Sequence, residues 1–234
     1  LYLSGSSAGS AALIRNIPEY KRLGINTVVF DAKDVTGIVN YRSKVRLAVA
    51  YDTHEQATIG NIGMLLRELN KAGIYTVARI AVFHDHLLRK RDPKLAIRSR
   101  GGGVWNPGGK EKWCDPTNKK VQDYNINLAA ELADMGADEI QFDYIRFPTT
   151  GNLADADFAY SFGRMSNDRA ITHFLKRAHE QIAARNARLS IDIFGVVAWG
   201  KPVDIRSTGQ RIELLARHCR SEEHTSELQS RQSI

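Results

Sequence analysis

Apolar positions along the chain keep two alternating rhythms. Ile62, Leu65, Leu66 and Leu69 fall at i, i+3, i+4 and i+7, one face of a helix. Ile171, Phe174, Leu175, Ala178 and Ile182 repeat that spacing, and Val121, Tyr124, Leu128, Leu132 and Met135 mark a third helix. For this third helix Asp115-Pro116 offers an N-cap followed by proline at the first helical position. Between the helices lie short β-branched and apolar runs, which predict strands over 1–4, 26–31, 75–83, 139–147 and 189–197. Three times a helix ends in glycine just before a strand: Leu23-Gly24, Ala72-Gly73 and Met135-Gly136. Strand and helix in strict alternation imply an α/β fold with a parallel sheet and right-handed crossovers. Five βα units are recognisable, enough for a doubly wound open sheet or for part of a (β/α)8 barrel.

The polar residues decide between these two. Barrel sites form at the C-terminal ends of the strands, and four predicted strands place charge there. The second ends Phe30-Asp31-Ala32-Lys33-Asp34, the third runs from Arg79 to Phe83-His84-Asp85, the fourth reads Gln141-Phe142-Asp143-Tyr144-Ile145-Arg146, and the fifth Asp192-Ile193-Phe194. Period-2 alternation puts Asp31 with Lys33, Arg79 with Phe83 and Asp85, Gln141 with Asp143, and Asp192 with Phe194 on common faces. An unpaired charge inside a parallel strand costs several kcal/mol, so four such strands point to one shared polar pocket and favour the barrel. Any one member alone reads as a structural ion pair, Asp31 with Lys33 or Asp143 with Arg146.

Asp143 and Asp192, at similar depth on neighbouring strands, are the candidate catalytic pair, since glycosidases work with two carboxyl groups flanking the scissile bond. Arg79 or Lys33 beside Asp143 would keep it ionised, as a nucleophile requires. Trp113, Trp105, Trp199, Tyr144 and Phe83 are candidate platforms for sugar rings, and Asp31, Asp85, Asp115 and Arg146 complete the set expected to hold substrate.

Residues 1–219 resemble the putative glycosyl hydrolase domain family, bacterial barrels distantly similar to the α-amylase superfamily. The resemblance rests on Val29-Phe-Asp-Ala-Lys-Asp34 with Thr36-Gly37, the run from Arg79 to Asp85, Trp113-Cys-Asp-Pro116, Asp192-Ile-Phe-Gly195, and above all Gln141-Phe-Asp-Tyr-Ile-Arg-Phe-Pro148. It implies a TIM barrel acting on a poly- or oligosaccharide without a cofactor, with Asp143 as nucleophile, and it favours an extracellular or cell-envelope setting. Amylase-type enzymes carry Arg two residues before that nucleophile, where this chain has Gln141. Their general acid is a Glu at the end of strand five; no Glu stands there in this chain, and the role falls to Asp192 or to a residue on a strand further along the parent protein.

Composition adds boundaries. With 43% hydrophobic and 25% charged residues the chain is of globular type, and no apolar run is long enough to span a bilayer. The net charge is +7, with basic clusters at Arg89-Lys90-Arg91, at Arg98 and Arg100, and from Lys110 to Lys120. Without a nucleic-acid motif these read as a solvated loop between elements, and no nucleic-acid partner is expected. Cys114 and Cys219 have no metal-site spacing. The opening Leu1-Tyr2-Leu3 lacks an initiator Met and a leader and reads as a start inside a longer protein. Residues 220–230 have no period and resemble a translated sequencing adapter, so residues 220–234 are excluded from the fold. On this reading residues 1–219 are the front of a barrel, expected to be inactive and poorly soluble on their own.

Three rival readings use other residues. Gly5-Ser-Ser7-Ala-Gly9 matches G-x-S-x-G and would make Ser7 an esterase nucleophile with Asp192 and His218. His84 and His86 at i and i+2 invite a metal, although no third ligand is identifiable. A barrel that binds glycan without turning it over is the remaining class.

Overall fold

The computed structural model describes residues 1–108, 111–158 and 165–219; residues 220–234, excluded above for their likeness to an adapter, lie outside the described residues. Five parallel strands form one sheet in sequence order: β1 (Tyr2–Leu3), β2 (Thr27–Lys33), β3 (Tyr75–Ala81), β4 (Glu139–Asp143) and β5 (Arg188–Ile191). Three long helices cover one face: α1 (Ile62–Lys71), α2 (Lys119–Asp134) and α3 (Asn167–Ala183). The β1–β2 connection instead uses three short helices, Gly5–Ala8, Ala11–Arg15 and Ile17–Arg22.

The sheet's two faces differ in chemistry, as period-2 alternation demands. Val28, Phe30, Ala78, Ile80, Ile140, Phe142, Leu189 and Ile191 are buried on the side that receives the helix stripes. Phe174 of α3 lies 5.5 Å from the Phe142 ring and 5.2 Å from Phe83, and Leu65, Leu66 and Leu69 of α1 join the same core. Each such side chain contributes roughly 1.5–3 kcal/mol by leaving water. The opposite, concave face carries Tyr75, Arg79, Glu139, Gln141, Asp143, Arg188 and Ser190.

Helix ends follow local chemistry. Gly73 (φ +70°) and Gly136 (φ +99°) take the left-handed conformation that turns α1 and α2 into the next strand. The Asn61 side chain caps α1 by accepting from Met64 N–H at 2.9 Å. The cap of α2 is Asn118, accepting from Lys120 N–H at 2.9 Å, and not the expected Asp115. Asp115 instead closes a turn on Thr117, accepting from its N–H at 2.8 Å and its hydroxyl at 2.7 Å, which delays the helix by one turn.

The strands are shorter than the apolar runs suggest. β4 stops at Asp143 because Tyr144 takes φ +55°, and Gly195–Trp199 is a 3-10 turn instead of strand. Beyond β3 and β4 two long excursions pack on one another. Arg98–Ser99 pairs antiparallel with Ala156–Asp157, Trp105 Nε1 donates to the Asn152 carbonyl at 2.8 Å, and Thr150 Oγ1 donates to Glu111 at 3.1 Å. Together they build a rim over the C-terminal ends of these strands.

Candidate active site

The concave face gathers a charged constellation near the strand ends. Cα register pairs Asp31 with Arg79, Arg79 with Gln141, Ala81 with Asp143, and Phe142 with Ile191. One step on, Asp143 closes β4 and Asp192 directly follows β5, with Asp192 N–H donating to the Phe142 carbonyl at 2.9 Å. Arg79 is the hub: one guanidinium nitrogen bonds Asp31 and the other Asp143. Burial would lower the pKa of this guanidinium, but Asp143 and Asp31 outweigh it and the pKa rises.

Each carboxylate has further support. Asp31 accepts from the Tyr2 hydroxyl at 2.7 Å, and burial together with that bond pushes the phenol up to about 12. Asp143 Oδ1 accepts from Tyr144 N–H at 2.6 Å. Tyr144 holds its left-handed backbone without being glycine, a conformation that costs of order 1–3 kcal/mol and aims this N–H back at the carboxylate. Asp192 accepts from Gln141 Nε2 at 2.8 Å.

Toward the strands' N-terminal ends the same face is hollow. A cavity of about 460 Å³ is lined by Val29, Tyr75, Val77, Glu139, Gln141 and Arg188, among others. Glu139 ties its two neighbouring strands, accepting from Tyr75 at 2.9 Å and from Ser190. Burial and this bond raise the Tyr75 phenol to about 12.

An aromatic cluster stands above the strand ends. His84 meets Trp113 edge-on at 5.3 Å and Tyr144 at 5.1 Å. The Arg146 guanidinium lies 4.3 Å from the Phe194 ring and 5.0 Å from Trp113. His84 Nε2 accepts from Lys112 N–H at 3.3 Å, so Nδ1 carries the proton donated to the Val35 carbonyl at 3.1 Å. Burial lowers its pKa, in keeping with a neutral ring whose two nitrogens are both engaged by backbone.

The structure divides the expected site residues. It brings Asp31, Arg79, Asp143 and Asp192 together and sets Tyr144 beside them. Lys33 and Asp85 are elsewhere, a correction to the face assignment. The β2–β3 register shifts between Asp31 and Lys33, so the strand's alternation breaks and Lys33 enters the buried layer. There its Nζ pairs with Asp85 at 2.8 Å and donates to the Ala81 carbonyl at 2.6 Å and to Asn125 at 3.1 Å. Asp85 also caps the helix His86–Arg91 through Leu88 N–H, and a Cβ on Gly37 would fall 2.0 Å from its Oδ1. Phe83 is buried against Phe174 and is no platform.

Trp113, Asp115 and Arg146 are buried supports of the rim, with Trp113 only 1% exposed. Trp105 is likewise buried, whereas Trp199, at 76% exposure, is open to stack on a ring. Arg79, and not Arg146, is the cation paired with Asp143. Both cysteines are free.

The residues of the rival esterase engage other partners. Ser7 Oγ bonds Ser4 Oγ at 3.1 Å, while His218 neighbours His179. The motif's glycines have a packing reason: a Cβ on Gly9 would fall 2.0 Å from the Thr58 carbonyl oxygen.

Tyr2, Glu139, Tyr75 and Ser190 are members of the concave face that the sequence reading passed over. Alternation along β3 and β4 was the signal available for Tyr75 and Glu139. Nothing local marked Tyr2, whose role depends on β1 lying beside β2.

Comparison with known proteins bears on the family and the fold. The model of a family described as "putative glycosyl hydrolase domain" matches residues 1–220. A hypothetical protein from Ruminiclostridium thermocellum is 32% identical with TM-score 0.72, over 84% of this chain and 99% of its own. A GH20 exo-β-N-acetylglucosaminidase from Vibrio harveyi (14% identical, TM-score 0.55) matches 82% of this chain and 35% of its own. An α-L-fucosidase isoenzyme from Paenibacillus thiaminolyticus (16%, TM-score 0.55) matches 76% and 29%. The chain thus corresponds to about a third of each glycosidase and shares their barrel fold. No curated protein matches.

Proposed function

We propose that this chain, which belongs to the putative glycosyl hydrolase domain family, carries the strand-end site of a glycoside hydrolase acting on a poly- or oligosaccharide, with Asp143 as nucleophile and Asp192 as acid–base. One observation carries the reading: Asp143 ends β4 and Asp192 directly follows β5, its N–H on the Phe142 carbonyl, so the two residues fall at neighbouring places across the sheet. Adjacent strands run about 4.8 Å apart, which suits the ~5–5.5 Å carboxyl separation of retaining glycosidases better than the wider inverting gap.

In this reading Asp143 attacks the anomeric carbon while Asp192 protonates the departing glycosidic oxygen. The covalent glycosyl ester on Asp143 is then hydrolysed by water that Asp192 deprotonates. Arg79 and Tyr144 N–H hold the nucleophile's two oxygens and so fix its approach. Trp199 offers an exposed stacking face at the rim.

The test is hydrolysis of α- and β-linked polysaccharides by the full-length gene product beside Asp143→Asn. A 2-fluoroglycoside inactivator should label Asp143, as read by peptide mass spectrometry, and the variant should lose turnover while keeping its fold. A label on another residue, or unchanged turnover in the variant, would remove Asp143 as nucleophile. No turnover by either folded protein would overturn the hydrolase reading.

A further inference from the structure

The basic residues are unevenly spread. Residues 84–120 hold ten Lys and Arg against four Asp and Glu, so this one segment carries +6 of the chain's +7. It is the excursion that follows β3 and forms the rim over the candidate site. Its four acidic side chains are all engaged or buried: Asp85 pairs with Lys33, Asp92 accepts from the Tyr51 hydroxyl, Glu111 accepts from Trp113 Nε1, and Asp115 is buried. Lys90, Lys94, Arg100 and Lys120, by contrast, are exposed and in no ion pair among the described residues. The rim therefore presents positive charge outward.

Part of it walls a second cavity. Between the loop after β2 and the helix His86–Arg91 lies a cleft of about 360 Å³, whose polar lining includes Thr36, Asp52, Thr53, Glu55, Gln56 and Lys90. Leu87 N–H donates to the Thr36 carbonyl at 2.8 Å, closing its floor. Arg91 at its edge is already paired with Glu55 at 3.5 Å, which leaves Lys90 as the cleft's uncommitted cation. The volume falls in the range of small-ligand sites; its hydroxyl, amide and carboxylate groups offer a sugar ring donors and acceptors, and Lys90 stands free for an acidic substituent.

We infer that the glycan is anionic, a polysaccharide carrying carboxylate or sulfate groups, and that this cleft is a subsite in which Lys90 meets one such group. The inference rests on the hydrolase reading for its placement beside the strand ends. A one-signed rim also raises the local concentration of a polyanion and speeds its encounter, an effect that salt screens. Nucleic acid is the competing polyanion. The groups lining the cleft suit hydrogen bonding to sugar hydroxyls better than base stacking, since no Phe, Tyr or Trp is among its lining residues.

The experiment measures binding by the full-length Asp143→Asn protein, so it needs no turnover. Polygalacturonate and dextran sulfate are compared with neutral dextran and single-stranded DNA, each at low and high salt. The expected result is salt-sensitive binding of at least one charged polysaccharide and none of dextran. Lys90→Glu should weaken it roughly tenfold, whereas Lys71→Glu, the same charge change at the end of α1 far from the rim, should leave it unchanged. Equal affinity for dextran, equal losses in both variants, DNA bound more tightly than either polysaccharide, or no polyanion bound would each overturn the inference. Binding that follows Lys90 without any hydrolysis by the protein with Asp143 intact would sink the hydrolase reading alone, and hydrolysis of neutral glycans by that protein, indifferent to Lys90, would sink the anionic subsite alone.

Discussion

Lys33 and Asp85 form an ion pair in which neither side chain is more than 1% exposed. The pair joins the end of β2 to the loop after β3, and its ammonium also holds the Ala81 carbonyl and the Asn125 side chain. Desolvating both charges is costly, and removing one partner strands the other in the core. Lys33→Met and Asp85→Asn should therefore each destabilise the fold by about 3–5 kcal/mol, read as a shift in the urea midpoint. The double variant Lys33→Met/Asp85→Leu should lose less than the sum of the two. Strict additivity would mean that the pair is not energetically coupled.

Asp115 gives a pH signature. Its carboxyl is buried, Oδ2 has no hydrogen-bond partner among the described residues, and burial raises its pKa to about 6 against the Thr117 bonds that lower it. The folded state thus binds this proton more tightly than the unfolded chain, whose carboxyl titrates near its ordinary value of about 3.9. The contribution to stability is full below about pH 4 and is lost as pH rises toward 6, an effect of order 3 kcal/mol. Asp115→Asn removes this titration. The difference in unfolding free energy between wild type and variant should fall across that window and stay flat above it. A difference independent of pH would show that Asp115 titrates alike in both states.

Much of the fold was legible because it is written in local patterns. Helix stripes such as Leu65, Leu66 and Leu69 and stops such as Gly73 and Gly136 depend on neighbours within a turn, and the parallel α/β sheet follows from their alternation, while the choice of a barrel needed the charged strand ends. The strand ends were harder. A single register shift beyond Asp31 sends Lys33 to the opposite side of the sheet, and no property of Phe30-Asp31-Ala32-Lys33 announces a bulge. Asp143 with Arg79 was within reach of alternation because β3 and β4 stay regular to that depth. Trp113 and Arg146 looked like substrate groups since a buried aromatic–cation stack and an open one have the same sequence; only packing between the two rim excursions separates them.

Arg79 serves two carboxylates at once, and its removal has a predictable asymmetry. Arg79→Met leaves Asp31 and Asp143 facing each other without the cation between them. Under the proposed mechanism kcat/KM should fall on the order of a hundredfold, since a displaced nucleophile loses its approach geometry. Adding Asp31→Asn relieves the repulsion and should recover stability in a thermal melt without recovering activity. Full activity in Arg79→Met would mean that Asp143 is positioned by Tyr144 N–H alone or is not the nucleophile.

Phe174 tests whether the helix layer holds the site in register. Its ring touches both Phe142, next to Asp143, and Phe83, next to the His84 cluster, so one α3 side chain braces two strand ends from behind. Phe174→Ala should cost about 3–5 kcal/mol as transfer and cavity terms combine. Phe174→Leu keeps most of the volume and should cost under half of that. The informative comparison is between stability and the 2-fluoroglycoside labelling rate at a temperature where all three proteins stay folded. If α3 sets the depth of Asp143, labelling should slow in Phe174→Ala even in the folded protein, because a β4 free to shift by an ångström misplaces the carboxylate. An unchanged rate would place the control of Asp143 in Arg79 and the β3–β4 register, with the helix layer contributing stability only.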